Sequence, residues 1–263
     1  MNEPMPILSP AALDMQGVAT GSMRDPNSMV VEEVQWTVAS GDFWVIGGLQ
    51  GSGKSDFLLM TAGLTAPLRG TYLFFGQPMP LFEEHELRER LRLGIVFDGG
   101  QLFNHLTVSE NVALPLRYHR NLGPAEAGPE LAQMLSICEL QPYADSTPGA
   151  LARNWQKRVG LARALMVRPE VLLLDNPLAG LDLRHRAWWL GLLGQLSKGH
   201  PWMNGRPVTL IVTADDLRPW RLWARQFAML KNKRLVILGS WDQLESAGDE
   251  MVQELLAIAP ADV

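Results

Sequence analysis

The segment Gly48-Leu49-Gln50-Gly51-Ser52-Gly53-Lys54-Ser55 matches the pattern G-x-x-x-x-G-K-[ST]. It follows the apolar run 43–46, which is typical of a buried strand, and precedes the apolar stretch 57–62, which favours a helix. A phosphate-binding P-loop requires this order of strand, loop and helix, because its glycines let backbone N–H groups turn toward the phosphates. We therefore predict a phosphate-binding loop here, in preference to a glycine-rich turn that contains a lysine by chance.

Individual residues of this loop have expected roles. Lys54 is expected to reach the β- and γ-phosphates of a nucleotide, and the hydroxyl of Ser55 is expected to ligate Mg²⁺. The predicted phosphate-binding set is Gly48, Gly51, Ser52, Gly53, Lys54, Ser55 and the following residue, Asp56.

Composition limits the class of protein. The chain has 263 residues, of which 47% are hydrophobic and 19% charged, as in ordinary globular proteins. A formal net charge of −5 argues against a nucleic-acid partner, since such binding needs basic surface. The single cysteine, Cys138, excludes an internal disulfide. There is no apolar run of 18 residues and the first residues, 1–4, lack the basic segment of a signal peptide, so we expect a chain that neither spans a membrane nor is exported by itself.

Hydrophobic patterns place the other elements. Strands are predicted at 13–18, 30–38, 43–46, 70–75, 93–97, 171–175 and 208–213, with a hairpin over 227–238. The segment from about 101 to 157 reads as a mostly helical insertion, and Arg158–Val167 as an amphipathic helix. We therefore predict one domain over 1–263, with a core formed by 12–100 and 158–263 and a helical subdomain at about 101–157.

Three more segments follow the P-loop in order: Lys157–Leu165, Leu172–Asp175 and Ala179–Asp182. Together with 48–55, they resemble the nucleotide-binding subunit of ABC transporters over nearly the whole chain. They correspond to that family's Walker A motif, the helix after its signature, its Walker B motif and its D-loop. The segment 102–117 is also similar to the ATPases of Mla/Mce-type lipid importers.

This resemblance implies an α/β fold, a P-loop NTPase (ABC ATPase) core with a central mostly parallel sheet, an N-terminal antiparallel β subdomain and a helical insertion. It implies ATP and Mg²⁺ as ligands, with Asp175 and Ser55 at the metal and Asp182 in a dimer contact. It also implies two partners, an integral-membrane permease subunit and a second nucleotide-binding subunit, identical or not. The expected location is cytoplasmic, peripheral on the inner face of the cell membrane.

Several positions depart from the family pattern where the chemistry of hydrolysis is carried out. Asn176 replaces the glutamate that polarises the attacking water, and Ala214 replaces the histidine that senses the γ-phosphate. An amide can hold water but cannot accept its proton, and losing a general base costs about 10²–10⁴ in rate. The usual signature L-S-G-G-Q aligns with Leu151, Ala152, Arg153, Asn154 and Trp155.

Further departures concern the metal and the adenine. Asp98 stands at the position of the Q-loop glutamine, where its carboxylate is expected to ligate Mg²⁺. Asp56 replaces a threonine and places a negative charge near the α-phosphate. Ser22 falls near the place of the aromatic residue that stacks on adenine. We therefore expect an ATP-binding subunit for a lipid or other hydrophobic substrate, with weak or absent hydrolysis. The alternative is a non-catalytic scaffold or regulatory subunit, whereas a P-loop kinase or GTPase would not explain the series 157–182.

Overall fold

The computed structural model describes residues 11–23, 25, 28–79, 86–248 and 250–257, with the backbone alone at 251, 254, 255 and 257. In chain order, the strands are β1 (Ala11–Gly21), β2 (Met29–Ala39), β3 (Phe43–Gly47), β4 (Arg69–Phe74), β5 (Gln77–Pro78), β6 (Leu93–Val96), β7 (Val171–Asp175), β8 (Thr209–Ala214), β9 (Gln226–Lys231) and β10 (Arg234–Gly239). The α-helices are α1 (Lys54–Thr61), α2 (Leu87–Arg90), α3 (Val108–His119), α4 (Pro124–Ile137), α5 (Arg153–Leu165), α6 (Leu183–Lys198), α7 (Trp241–Ser246) and α8 (Glu250–Ala257).

The strands form two sheets. The larger has the order β10-β9-β3-β8-β7-β6, and its pairs are parallel except for the antiparallel hairpin β9–β10. The smaller has the order β2-β1-β4-β5 and is antiparallel throughout. The predicted fold class, a mostly parallel sheet with an N-terminal antiparallel sheet and a helical insertion, is confirmed.

Two hydrophobic cores cover the faces of the larger sheet, and β7 shows how the sequence builds both. Leu172 and Leu174 belong to the core packed against helices, whereas Val171 and Leu173 belong to the core facing the antiparallel sheet. Because successive side chains of a strand point to opposite faces, a strand covered on both sides is apolar without interruption. This burial on both faces holds β7 in place and positions Asp175, the last residue of the strand, at the carboxyl edge of the sheet.

The insertion contains α3 and α4, two short 3₁₀ turns and the start of α5. The prediction that the amphipathic helix starts at Arg158 is wrong, since α5 begins at Arg153 and ends at Leu165. Ala152 occupies the N-cap and has no side-chain oxygen, so the usual sequence signal of a helix start is missing. The consequence is that α5 crosses the predicted boundary at 157, and residues 153–155 of the predicted signature position lie in its first turn.

None of the helices in the described part of the chain has the length and apolar character that a membrane span needs.

Candidate functional site

The P-loop joins the end of β3 to the start of α1, as the sequence predicts. Gly53 has φ +91°, and a Cβ there would lie 2.1 Å from Cγ1 of Val30. Any larger residue would therefore be both strained and blocked. The hydroxyl of Ser52 is buried and finds no hydrogen-bond partner among the residues that the structure describes. A phosphate oxygen would supply that partner, so the loop fits the group that the motif predicts.

Lys54 is nearly buried, and its ammonium already has three partners. It donates to the carbonyl of Gly48 at 2.7 Å and to that of Leu49 at 3.0 Å. Its third partner is Oδ1 of Asp215, at 3.0 Å. The lysine is thus held across the loop, beside the surface where the phosphates of a nucleotide are expected.

The predicted metal ligands of the two Walker motifs lie side by side. The hydroxyl of Ser55 donates to Oδ2 of Asp175 at 2.8 Å, and Thr213 donates to Oδ1 of the same carboxylate at 2.7 Å. A hydroxyl and a carboxylate together suit Mg²⁺, which takes few protein oxygens and completes its shell with water and phosphate. The residues present therefore fit the metal.

The positions after β7 and at the end of β8 lie at the same edge of the sheet. Asn176 adopts φ +44°, and its side-chain amide donates to Oδ2 of Asp215 at 2.6 Å. Ala214 is buried and presents a methyl group. Asp215, which follows it, therefore bridges Asn176 and Lys54. The sequence analysis missed Asp215, although a carboxylate directly after a buried parallel strand is a signal that could have found it.

Asp98 is held by two cations of α5. Its Oδ1 lies 2.7 Å from the ammonium of Lys157, and its Oδ2 accepts from Arg153. The role of Asp98 as a metal ligand stays a prediction, and the structure gives this carboxylate two cationic partners.

Lys157 is the second residue that the sequence analysis missed as part of the site. It is buried, and it also donates to the carbonyls of Asn176 at 3.0 Å and Ala179 at 2.9 Å. Burial lowers the pKa of its ammonium, which the adjacent carboxylate of Asp98 partly offsets. Through these contacts Lys157 ties the Asp98 turn and the turn after β7 to one helix.

The signature position makes contacts within its own chain. Leu151 is buried and Ala152 is the N-cap of α5. The amide nitrogen of Asn154 lies within hydrogen-bond distance of Nε2 of His185 on α6. The ring of Trp155 packs against those of His185 and Tyr143, with centroids 5.4 and 4.7 Å away. Asn154 and Trp155 therefore join α5 to its neighbours.

Two other predicted residues accept hydrogen bonds from backbone N–H groups of their own chain. Asp56 accepts a hydrogen bond from the backbone N–H of Met23 at 2.8 Å, which holds the end of the Ser22 segment beside α1. Asp182 caps α6 by accepting from the N–H of His185, and this bond lowers the pKa of its carboxyl group. Nucleotide contact by Asp56 and a dimer contact by Asp182 stay predictions.

These elements surround one cleft of about 820 Å³. Its walls come from the Ser22 segment, the P-loop, the Asp98 turn, the start of α5, the turn after β7 and the residue after β8. The arrangement can bind a polyphosphate and a cation. The roles of the individual residues in that binding stay predictions.

Comparison with known proteins agrees with this geometry. The family model "ABC transporter" matches residues 31–179. The spermidine/putrescine import ATP-binding protein PotA of Trichodesmium erythraeum is 34% identical over 210 residues, which are 80% of this chain and 52% of that protein. A CysA protein of Chlorella vulgaris, described as a probable sulfate/thiosulfate import ATP-binding protein, is 32% identical over 223 residues, covering 85% of this chain and 90% of the relative.

Solved structures of ATP-binding cassette proteins have a similar fold. The ATP-binding cassette MJ0796, in a dimeric post-hydrolysis state bound to ADP and Pi, is 27% identical with a TM-score of 0.74, covering 85% of this chain and 96% of that one. The cbiO1 protein of Clostridium perfringens, part of the cbiONQ transporter complex, shares the fold at 21% identity and a TM-score of 0.73, covering 94% of this chain and 95% of its own.

The chain spans about half the length of the PotA relative and 63% of related mkl proteins. The family model nevertheless covers more than half of the present chain, and the matched range includes the P-loop and the turn after β7, which line the cleft. This chain belongs to the ABC transporter family.

Proposed function

We propose that the chain is the ATP-binding subunit of an ABC transporter and that its hydrolysis of ATP is weak or absent. One observation carries the proposal. The groups that bind a nucleotide and its metal, Lys54, Ser55 and Asp175, converge in one cleft, while the adjacent positions 176 and 214 carry an amide and a methyl group.

Binding is supported by the P-loop itself. Its backbone turns at Gly53, its orphaned Ser52 hydroxyl lacks a partner within the described residues, and its lysine reaches the cleft. When Mg²⁺ is bound, it would neutralise charge that develops on the phosphates. Ser55 and Asp175 are the residues that would hold it.

Weak hydrolysis follows from what Asn176 and Ala214 can do. The amide nitrogen of Asn176 is engaged by Asp215, and an amide oxygen is too weak a base to take the proton of an attacking water. Ala214 offers no hydrogen bond to a γ-phosphate. The predicted loss in rate is about 10²–10⁴ for the base alone.

A second nucleotide-binding subunit is proposed as a partner, with each nucleotide held between the Walker face of one subunit and the signature of the other. The contacts of Arg153, Asn154 and Trp155 within this chain support a poor signature face. Even beside a fully equipped partner, both composite sites would then be impaired.

A permease subunit is proposed to dock near the Asp98–Leu106 segment. Beside this segment lies a groove of about 650 Å³ whose walls include Phe103, His105 and Tyr118. Phe103 is 47% exposed and Tyr118 is 79% exposed, so apolar surface is available to a partner. The proposed substrate class, lipid or another hydrophobic molecule, rests on the resemblance of the segment 102–117 to lipid importers. The alternative remains a non-catalytic scaffold or regulatory subunit.

Calorimetry with ATP, with and without Mg²⁺, tests the proposal on the wild type and on Lys54→Ala. Wild-type protein should bind, and the Lys54→Ala variant should bind at least about tenfold more weakly, a loss of about 1.4 kcal/mol. Lys198→Ala, an exposed lysine on α6, is the control and should leave affinity unchanged. Absence of wild-type binding would favour the scaffold. Turnover at about 1 s⁻¹ or faster, an ordinary enzymatic rate, would refute weak hydrolysis.

A further inference from the structure

The cleft brings two groups of residues to the P-loop. The first contains Lys54 and Ser55, and the hydroxyl of Ser55 donates to Asp175. A cation, a hydroxyl and a carboxylate suit a phosphate chain and its metal. The second group has uncharged side chains and forms what we call the neutral wall: Ser22, Met23, Ser28 and Val30. A nucleotide whose phosphates and metal lie at the first group would therefore place its uncharged nucleoside against the neutral wall.

Asp56, in the first turn of α1, holds the neutral wall beside the P-loop. Its Oδ1 accepts the backbone N–H of Met23 at 2.8 Å, although the two residues are 33 positions apart in the chain. The N–H of Ser22 donates to the carbonyl of Ser28 at 2.9 Å, so the ends of the segment 22–28 are bonded to each other. The carboxylate of Asp56 therefore anchors a closed segment to the helix that follows the P-loop.

Met23 gives the neutral wall a surface for a flat aromatic group. Its side chain is 55% exposed and lines the cleft. A thioether is polarisable and makes favourable contacts with aromatic rings. The backbone N–H groups of Ser22 and Met23 are already used within the chain, so these residues offer a base contact area more than donors. Such contact depends on where the segment is held, and that position depends on Asp56.

We propose that Asp56 is a positioning residue for the nucleoside half of the ligand and acts through its hydrogen bond to the backbone of Met23. This inference rests on the proposed nucleotide-binding function. A carboxylate that acted on the phosphates directly would repel them, and its removal would tighten the binding of every polyphosphate. A carboxylate that anchors the neutral wall has the opposite effect, because its removal weakens the binding of a nucleotide and spares the phosphate contacts.

The test is calorimetry with Mg²⁺ and either ATP or inorganic tripolyphosphate, which has the phosphates and lacks the nucleoside. Salt at about 0.3 M screens the loss of charge at a partly exposed residue. Asp56→Ala should weaken ATP binding about fivefold, equivalent to about 1 kcal/mol, and change tripolyphosphate affinity less than about twofold.

Three further variants separate positioning from a merely structural role. Asp56→Asn keeps an oxygen that can accept the N–H of Met23 and removes the charge, so it should hold ATP affinity within about twofold of the wild type. Met23→Ala removes the contact surface and should weaken ATP binding while leaving tripolyphosphate binding unchanged. Asp242→Ala is the matched control and should change neither affinity. Asp242 is likewise an acidic residue in the first turn of a helix, α7, and is not among the described residues that line the cleft.

If the wild type did not bind ATP, the proposed function would fail and this inference with it. If ATP bound and Asp56→Ala changed ATP and tripolyphosphate affinity equally or not at all, the inference alone would be overturned, since Asp56 would then support the whole P-loop or neither ligand. Tighter binding of both ligands by Asp56→Ala and Asp56→Asn would also overturn it, because the carboxylate would then act by repelling phosphate.

Discussion

Replacing Lys157 with methionine tests whether this buried lysine holds the loops of the cleft together. Methionine keeps the length and most of the volume, so the cavity cost is small and the change mainly removes the ammonium. The carbonyls of Asn176 and Ala179 then lose donors at 3.0 and 2.9 Å, and the carbonyl of Pro177 loses a weaker contact at 3.4 Å. Asp98 also loses one of its two cations.

The magnitude follows from counting these losses. A buried acceptor left without its donor costs about 1–3 kcal/mol. Two short bonds are lost, and removing a charge that burial disfavours returns part of the cost. We therefore expect Lys157→Met to lower the free energy of unfolding by about 2–4 kcal/mol.

Urea denaturation followed by tryptophan fluorescence measures this change, since the chain has nine tryptophans. Lys198→Met is the control, because Lys198 lies exposed in the last turn of α6 and should cost less than about 1 kcal/mol. Equal effects of the two substitutions would refute the reasoning, because the carbonyls would then be satisfied without the lysine. A double-mutant cycle with Asp98→Asn should show coupling of about 1 kcal/mol or less, since Asp98 is partly exposed.

Two further predictions concern a histidine and a glycine. The Nδ1 atom of His200 accepts a hydrogen bond from the backbone N–H of Trp202. Burial lowers the pKa of this imidazole, so just below pH 6.5 the unfolded chain binds more protons than the folded chain. Stability should therefore fall as the pH drops from 6.5 through the folded pKa. His200→Asn, whose amide oxygen can replace Nδ1 as the capping acceptor, should flatten this slope in melts from pH 7.5 to 5.5, and an unchanged slope would contradict the prediction. Gly53→Ala should destabilise the fold by about 1–3 kcal/mol and abolish ATP binding, because the alanine would be strained at a positive φ and its Cβ would clash with Val30. Unchanged ATP affinity in calorimetry would show that the P-loop is arranged differently.

Local patterns in the sequence were sufficient for most of the fold. The run that became β7 was predicted with its bounds, 171–175, because a strand buried on both faces must be apolar throughout. The start of α5 was missed because Ala152 carries no capping oxygen. The first turn of the helix instead makes contacts with distant segments, Arg153 with Asp98 and Asn154 with His185, which no local signal encodes.

The residues of the P-loop and the turn after β7 could be named from the sequence, because their spacing and flanking strands carry the information. The side chains and carbonyls that these residues contact could not be named from the sequence. Asp215 contacts Lys54 across 161 residues of chain, and Lys157 of α5 reaches the carbonyl of Asn176 in the turn after β7. Such contacts depend on the order in which parallel strands pair, which no local pattern encodes.

The sequence by itself determined that a phosphate-binding loop precedes a helix, and that the positions 176 and 214 carry an amide and a methyl group. The tertiary structure alone decided that the P-loop lysine is paired with a carboxylate of its own chain and that Asn154 and Trp155 contact His185 of α6. The physical reason is that charge pairing and side-chain packing act through space. These contacts form only because the parallel strands β3, β8 and β7 are neighbours in the sheet, which brings their carboxyl ends to one edge.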